Sequence, residues 1–205
     1  MDKQNKTRDL IEELKNFFPN PTIALKYNSP FNLLVAVILS AQTTDKKVNE
    51  VTPVFFVKFK TSFDYTKLGQ EELEKYIKSI GLYHGKAKNI LASAKVISEK
   101  YDGKIPQKMS EMVALPGVGR KTANVVLGIV YGIHEGIAVD THVKRLSRLW
   151  GLTENINPDK IEQDLMNIVA KKDWGDFTYL VIDYGRKFCP AHCKHFDCPL
   201  KDNIS

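Results

Sequence analysis

The amino-acid sequence predicts an all-α protein. Apolar residues recur every three or four positions through most of its 205 residues, the spacing that places them on one side of a helix. One segment, residues 31–42, is apolar on nearly every side, which predicts a helix buried at the centre of the fold. No segment alternates convincingly between apolar and polar residues, and no hairpin-type turn separates strand-like segments.

The first three predicted helices have clear boundaries. TRDLIEELKNFF (7–18) places its large apolar residues on one stripe and ends at the prolines of PNP. The buried helix FNLLVAVILSAQ (31–42) follows. After it comes a polar break, in which Thr44 or Asp45 is expected to cap the helix KKVNEVTPVFFVKF (46–59).

The rest of the chain continues the helical pattern, with short loops and no internal repeat. Five more amphipathic segments are predicted to be helices: QEELEKYIKSIG (70–81), KAKNILASAKVISEKY (86–101), THVKRLSRLWG (141–151), PDKIEQDLMNIVAKK (158–172) and DFTYLVIDYGRKF (176–188).

Composition narrows the class of protein. Thirty Lys and Arg residues against 24 Asp and Glu give a net charge of +6, which is compatible with binding to nucleic acid. No apolar segment approaches the ~20 residues that span a bilayer, and the first twenty residues carry charges throughout. We therefore expect a cytoplasmic protein without a membrane partner, associated with the nucleoid in a prokaryote. In that compartment clustered cysteines favour metal binding over disulfides.

The segment SEMVALPGVGRKTANVVLGIVYG (110–132) carries the strongest functional signal. It predicts a short helix, a tight Gly-Val-Gly turn and a second helix that starts near Arg120. Gly117 and Gly119 permit positive φ and leave no side chain over the backbone N–H groups at the start of the second helix. Those groups, with the helix dipole behind them, form a natural phosphate seat. An ordinary helical hairpin with a glycine turn is the alternative.

This stretch and the following GIAVDTHVKRLSRLWGLT resemble the helix-hairpin-helix DNA glycosylases, and within that superfamily the endonuclease III family. VAVILSAQTTDKKVN, IKSIGLYHGKAKNI, LPGVGRKTANVV and AVDTHVKRL match family motifs and occur in the family's order. The resemblance covers most of the chain. It implies an all-α fold with two helical domains that flank a DNA-binding cleft: residues 22–133, a helical barrel containing the hairpin, and residues 1–21 with 134–205.

The resemblance also implies the catalytic residues. Lys121 matches the family's nucleophilic lysine, which attacks the sugar C1′ and forms a Schiff base. Asp140 matches the carboxylate that stabilises the positively charged sugar. Taken alone, Lys121 is an ordinary solvated lysine and Asp140 an N-cap of the helix that follows it. For His142 a structural hydrogen bond is expected rather than catalysis.

Further residues are implied to contact DNA. Gln42 matches the residue that fills the space left by a flipped base, and Leu82 matches an apolar wedge between stacked bases. Their alternatives are a polar residue at a helix end and a buried leucine. The hairpin residues Gly117, Val118, Gly119 and Arg120, together with Lys144, complete the expected DNA-binding set; Lys86, Lys88, Arg145 and Arg148 are additional candidate phosphate contacts.

Three functions are compatible with these patterns. The first is a monomeric glycosylase and abasic-site lyase that removes oxidised pyrimidines from duplex DNA and needs no cofactor for its chemistry. The second is a monofunctional mismatch glycosylase, and the third a non-catalytic helix-hairpin-helix binding module. The presence of both Lys121 and Asp140 favours the first, because a protein that only binds DNA has no need for the pair.

All three cysteines lie within ten residues, as Cys189-x3-Cys193-x4-Cys198. The resemblance implies a [4Fe–4S] cluster here, whose four cysteines are spaced C-x6-C-x2-C-x5-C. If Cys198 is aligned with the third of these, the second falls on His195 and the fourth on Ile204, with Cys189 one residue out of register.

A four-iron cluster takes four thiolates, and the chain has only three cysteines. The sequence therefore predicts a segment without metal, in which Phe188, Phe196 and Leu200 pack. A fourth ligand from His192 or His195 would instead give an unusual cluster or a Cys₃His zinc site.

Overall fold

The computed structural model describes residues 2–195 and 197–203. Its helices confirm the predicted all-α class, and no strand occurs among these residues. The helices are α1 Lys3–Phe17, α2 Pro30–Ser40, α3 Asp45–Val51, α4 Pro53–Phe56, α5 Ser62–Tyr65, α6 Gln70–Ile77, α7 Tyr83–Lys100, α8 Met109–Val113, α9 Arg120–Tyr131, α10 Thr141–Leu149, α11 Pro158–Ile168 and α12 Trp174–Lys187, with 3-10 turns at Lys171–Asp173 and Lys201–Asn203.

The chain folds as two compact units. One, the middle unit, is Ala24–Ile133, and the other, the terminal unit, combines Met1–Ile23 with His134–Ser205. Among the described residues, no helix is long and apolar enough to cross a membrane.

The middle unit is built around α2. Ser29 caps this helix by accepting a hydrogen bond from the Asn32 backbone N–H, and Pro30 occupies the first turn, where its missing N–H costs nothing. Phe31 to Leu39 are all buried, so the prediction of a central helix is confirmed. The helix packs against α7 and α9. Its buried Asn32 is satisfied by the Tyr65 hydroxyl, which donates to Asn32 Oδ1 over 2.9 Å.

Two boundaries differ from the prediction. The helix α2 ends at Ser40, two residues before the predicted end, because Ala41 leaves the helical conformation with a ψ of 117°. The predicted helix 46–59 is divided in two at Thr52, since Pro53 has no N–H with which to continue α3 and instead begins α4. Of the two predicted caps, Thr44 is the one that caps α3, with its hydroxyl accepting from the Lys47 N–H.

The terminal unit joins the two ends of the chain. Its core contains Leu10 and Leu14 of α1, Leu146 of α10 and Phe177 of α12. Trp150, which follows α10, is fully buried with its ring 5.4 Å from that of Tyr184. The same core continues into the C-terminal segment through the buried residues Cys189, Cys198 and Leu200.

Candidate functional site

The hairpin between α8 and α9 has the tight turn that the sequence predicts. Gly117 adopts a φ of +77°, and a Cβ atom at this position would lie 2.8 Å from the Cβ of Asn89. Leu115 and Val118 are buried on either side of it, and the Val118 N–H donates to the Leu115 carbonyl. Position 117 therefore needs glycine for two reasons, its positive φ and its close contact with α7.

Gly119 does not use the positive φ that glycine permits. Its φ is −92°. A Cβ at Gly119 would meet nothing within 4 Å, which means that the folded chain itself does not require glycine here. Gly119 is the N-cap of α9 and offers no side-chain oxygen to the N–H groups of the first turn.

The start of α9 carries two exposed cationic side chains. Arg120 and Lys121 occupy its first two positions, and both are exposed. Helix geometry leaves the first N–H groups of α9 without acceptors in the helix, and the dipole adds a partial positive charge. An anion would find backbone donors and two cationic side chains at this one end.

Asp140 is held in a fixed position in the terminal unit. Its Oδ1 accepts the Val143 N–H over 2.8 Å, which confirms the predicted N-cap of α10. The preceding segment is held in place by Thr178 of α12, whose hydroxyl donates to the Ala138 carbonyl over 2.9 Å. The carboxyl is half-buried, and the cap occupies only one of its two oxygens.

His142 faces the interior of the terminal unit. A Cβ added to Gly185 of α12 would lie 2.4 Å from His142 Nδ1, so the imidazole packs directly on the glycine backbone. This contact agrees with the structural role expected for His142.

Gln42 and Leu82 share an uncommon backbone conformation. Among the described residues, four non-glycine residues have positive φ, and Gln42 (54°) and Leu82 (58°) are two of them. Such a conformation costs about 1–2 kcal/mol per residue and is frequent at functional positions. Both side chains are exposed, and Leu82 is 68% exposed, the highest value among the large apolar residues exposed in the described chain. The alternative of a buried leucine at this turn is therefore wrong.

Lys86 connects the two segments that carry these residues. It lies in the first turn of α7, four residues after Leu82, and is only 6% exposed. Its Nζ donates to the carbonyls of Leu39 (2.9 Å) and Ala41 (2.7 Å) and to the Thr43 hydroxyl (3.1 Å). Burial lowers the pKa of this lysine. Lys86 therefore satisfies the C-terminal end of α2, and its prediction as a phosphate contact is wrong.

The other candidate cations differ in their surroundings. Lys88 and Arg148 are exposed, and Lys144 is half-buried. Arg145 is directed at the C-terminal segment: its Nη1 lies 3.3 Å from Cys189 Sγ, and its Nη2 donates to the Cys189 carbonyl. The guanidinium is thus used inside the terminal unit, contrary to its predicted contact with phosphate.

Four residues of the C-terminal segment that could bind a metal ion lie close together. We call them the Cys/His cluster: Cys189, Cys193, His195 and Cys198. Their ligand atoms all lie within 4.8 Å of one another. The cysteines are free thiols, with Cys193 Sγ 3.2 Å from Cys198 Sγ. Burial raises the pKa of Cys198 to about 12, while the hydrogen bond from Cys198 lowers the pKa of Cys193.

His192 is exposed and does not belong to the Cys/His cluster. Leu200 is buried, and its N–H donates to the Tyr184 hydroxyl over 3.1 Å; Phe188 packs against the Tyr184 ring. The predicted packing of Phe196 and the aligned position Ile204 lie outside the described residues.

Comparison with known proteins identifies the class to which this arrangement belongs. The model of the HhH-GPD superfamily of base excision DNA repair proteins matches residues 35–171. The chain belongs to that superfamily. Over 189 residues it is 44% identical to the endonuclease III of Synechocystis sp., an alignment that covers 92% of this chain and 86% of the relative. Within the superfamily, it is a member of the endonuclease III family.

Two solved structures share its fold over nearly the whole chain. A non-covalent endonuclease III–DNA complex is 40% identical with a TM-score of 0.92, covering 100% of this chain and 96% of the other. A trapped endonuclease III–DNA covalent intermediate, an estranged-adenine complex, is 41% identical with a TM-score of 0.90, covering 98% and 94%.

Replacing Lys86 by Met keeps the length of the side chain and removes all three hydrogen bonds. The Leu39 and Ala41 carbonyls then lose their donor, which should lower the free energy of unfolding by about 2 kcal/mol. Urea denaturation measures this loss, and hydrogen exchange at the Thr43 amide, which is bonded to the Ser40 carbonyl, should become faster.

Lys88→Met is the matched control, because Lys88 lies on the same helix with an exposed side chain. It should stay within about 0.5 kcal/mol of the wild type. Equal stability and equal Thr43 exchange in the Lys86 and Lys88 variants would contradict the bridging role.

Proposed function

We propose that this chain is a DNA glycosylase with abasic-site lyase activity, which removes oxidised pyrimidines from duplex DNA. The observation that carries the proposal is the exposed Lys121 at the open end of the hairpin helix α9. It occurs in a chain that matches an endonuclease III trapped covalently on DNA at a TM-score of 0.90.

In the proposed reaction Lys121 is the nucleophile. Its neutral amine attacks the sugar C1′, the bond from C1′ to the base breaks, and the base leaves with a proton. The sugar ring opens to give a Schiff base between Lys121 Nζ and C1′. Loss of a proton from C2′ then expels the 3′ phosphate, which cuts the strand by β-elimination. Water hydrolyses the Schiff base and releases the lysine.

Asp140 supplies the negative charge that this reaction requires. As the C1′–base bond lengthens, positive charge develops on the sugar, and a rigidly held carboxylate stabilises it more than mobile water does. The N-cap hydrogen bond and the Thr178–Ala138 hydrogen bond provide that rigidity. The carboxylate also assists movement of the proton.

The remaining residues bind the duplex and open it. The first turn of α9, with Gly119 leaving the approach clear, seats a backbone phosphate, and Lys144 contributes further positive charge. The target base must leave the stack before it can be attacked. Leu82 separates the stacked bases, and Gln42 pairs through its amide with the orphaned partner base.

Substitution of Lys121 by Gln tests the nucleophile. Borohydride reduces a Schiff base to a stable amine, so the wild type should be trapped covalently on duplex DNA that contains an abasic site. Lys121→Gln should reduce trapping about 1000-fold or more, since the attacking group is gone. Lys95→Gln, an exposed helical lysine of the same unit, is the control and should trap normally. If the wild type releases the base but is not trapped, the chain is a monofunctional glycosylase. If it binds DNA but shows neither activity, it is a non-catalytic binding module.

Asp140→Asn separates the chemical role of the carboxyl from its cap. Asn is as good an N-cap as Asp, so the thermal stability should be retained. Single-turnover base excision should slow about 100-fold because the charge is lost, while duplex affinity stays close to that of the wild type. Excision at the wild-type rate would remove Asp140 from the proposed chemistry.

The two hairpin glycines give a paired test of the phosphate seat. Gly119→Ala has room for its methyl group, so the free energy of unfolding should change by less than about 1 kcal/mol. The methyl group should nevertheless obstruct the phosphate and weaken duplex binding about tenfold, measured by fluorescence anisotropy. Gly117→Ala should instead destabilise the fold by more than about 1 kcal/mol. Unchanged duplex affinity in folded Gly119→Ala would argue against the seat.

Leu82→Gly separates the proposed wedge role of Leu82 in excision from its effect on stability. Glycine adopts the left-handed conformation freely, so the stability should stay equal or rise by up to about 1 kcal/mol. Loss of the wedge should slow excision from duplex DNA about tenfold, with little change on single strands, whose bases need no separation. Val57→Ala, which alters another exposed apolar residue of the middle unit, serves as the control. A similar slowing on both substrates would contradict a wedge.

A further inference from the structure

We propose that Cys189, Cys193, His195 and Cys198 bind a single zinc ion in a tetrahedral Cys₃His site. The four donors come from ten consecutive residues, and the Cys189-x3-Cys193 spacing lies within the range found in structural zinc sites. This site is separate from the excision chemistry and stands whether or not the chain cleaves DNA.

The distances between donors match one ion. Tetrahedral zinc with Zn–S bonds near 2.3 Å and a Zn–N bond near 2.0 Å holds its ligand atoms about 3.5–3.8 Å apart. His195 Nδ1 lies 3.4 Å from Cys189 Sγ and 3.8 Å from Cys198 Sγ, and Cys193 Sγ lies 3.2 Å from Cys198 Sγ. Small shifts of the side chains would bring all four donors to one centre.

The [4Fe–4S] cluster implied by the family resemblance does not fit these donors. In such a cluster each thiolate binds a different iron, so four sulfurs must surround a core of eight atoms. Here three sulfurs and one imidazole nitrogen lie within 4.8 Å of one another, which leaves no space between them for that core. The donor set and its spacing favour one ion.

The residues around the four donors balance the charge that a bound zinc ion would leave. Zinc with three thiolates and a neutral imidazole carries a net charge of −1, and the Arg145 guanidinium, 3.3 Å from Cys189 Sγ, offsets it. The His195 backbone N–H lies 3.3 Å from Cys193 Sγ and donates to it. Such outer hydrogen bonds orient metal ligands and strengthen their binding.

The backbone at the Cys/His cluster has an uncommon conformation of the kind found at functional sites. His195 has a φ of +65°, and it is the only non-glycine residue with positive φ among the described residues of the terminal unit. Cys189 and Cys198 belong to the core of that unit, and Arg145 lies on α10. A zinc ion would therefore fix the C-terminal segment to the helix that Asp140 caps.

Metal analysis of the full chain, purified without oxygen, tests the proposal directly. We expect one zinc per chain and no acid-labile sulfide. After exchange with Co²⁺, the spectrum should show the d–d bands and thiolate charge transfer of tetrahedral cobalt. Removal of zinc by a chelator should lower the melting temperature, because zinc binds only the folded site with high affinity.

Three variants at the two histidines identify the fourth ligand. His195→Ala should weaken zinc binding about 100-fold or more, measured by competition with a chromophoric chelator. His195→Cys should retain stoichiometric zinc, since four thiolates also form a tetrahedral site, and it shows that position 195 tolerates substitution. His192→Ala, an exposed histidine outside the cluster, should bind zinc like the wild type.

Three results would overturn the zinc site. One is iron with matching sulfide in the purified chain. Another is a Cys193–Cys198 disulfide with no bound metal. The third is equal zinc affinity in the wild type and His195→Ala.

Discussion

Burial of α2 along its length is the constraint on which the middle unit depends. The last carbonyls of a helix have no N–H partner within the helix and need another donor. Lys86 provides it, through bonds to the Leu39 and Ala41 carbonyls. Because Lys86 belongs to α7, the segment after α2 and the segment before α7 are fixed to each other. Gln42 and Leu82, the two residues proposed to enter the duplex, lie in these segments.

The N-termini of α9 and α10 are capped in opposite ways. At α10 the Asp140 carboxylate accepts the Val143 N–H, which satisfies one donor of the first turn and holds the carboxyl in place. At α9 the cap is Gly119, which supplies no oxygen and no bulk, so the end stays available to an anion. The N–H groups at the start of a helix thus hold the Asp140 carboxylate in one unit, and in the other they form the proposed phosphate site.

The C-terminal segment contributes to the core of the terminal unit as well as to the Cys/His cluster. Cys189, Cys198 and Leu200 are all buried in that core. Arg145 shows that the charge of a side chain does not reveal what it contacts. It lies on the basic helix α10 and was predicted to contact phosphate, yet its guanidinium lies against Cys189.

The all-α class, the central helix, a cap at Thr44 or Asp45, the cap at Asp140 and the glycine turn could all be predicted from the sequence, because each depends on local spacing and backbone conformation. Motif order likewise sufficed to indicate the family and the candidate roles of Lys121 and Asp140. Three differences between similar residues became known from the folded structure alone: Lys86 is buried and Lys88 exposed, Gly117 contacts Asn89 while Gly119 faces open space, and His195 rather than His192 joins the cysteines. In each pair the two residues are of one type and are close in sequence. What separates them is which other parts of the chain pack beside them, and that depends on contacts distant in sequence, which no local pattern contains.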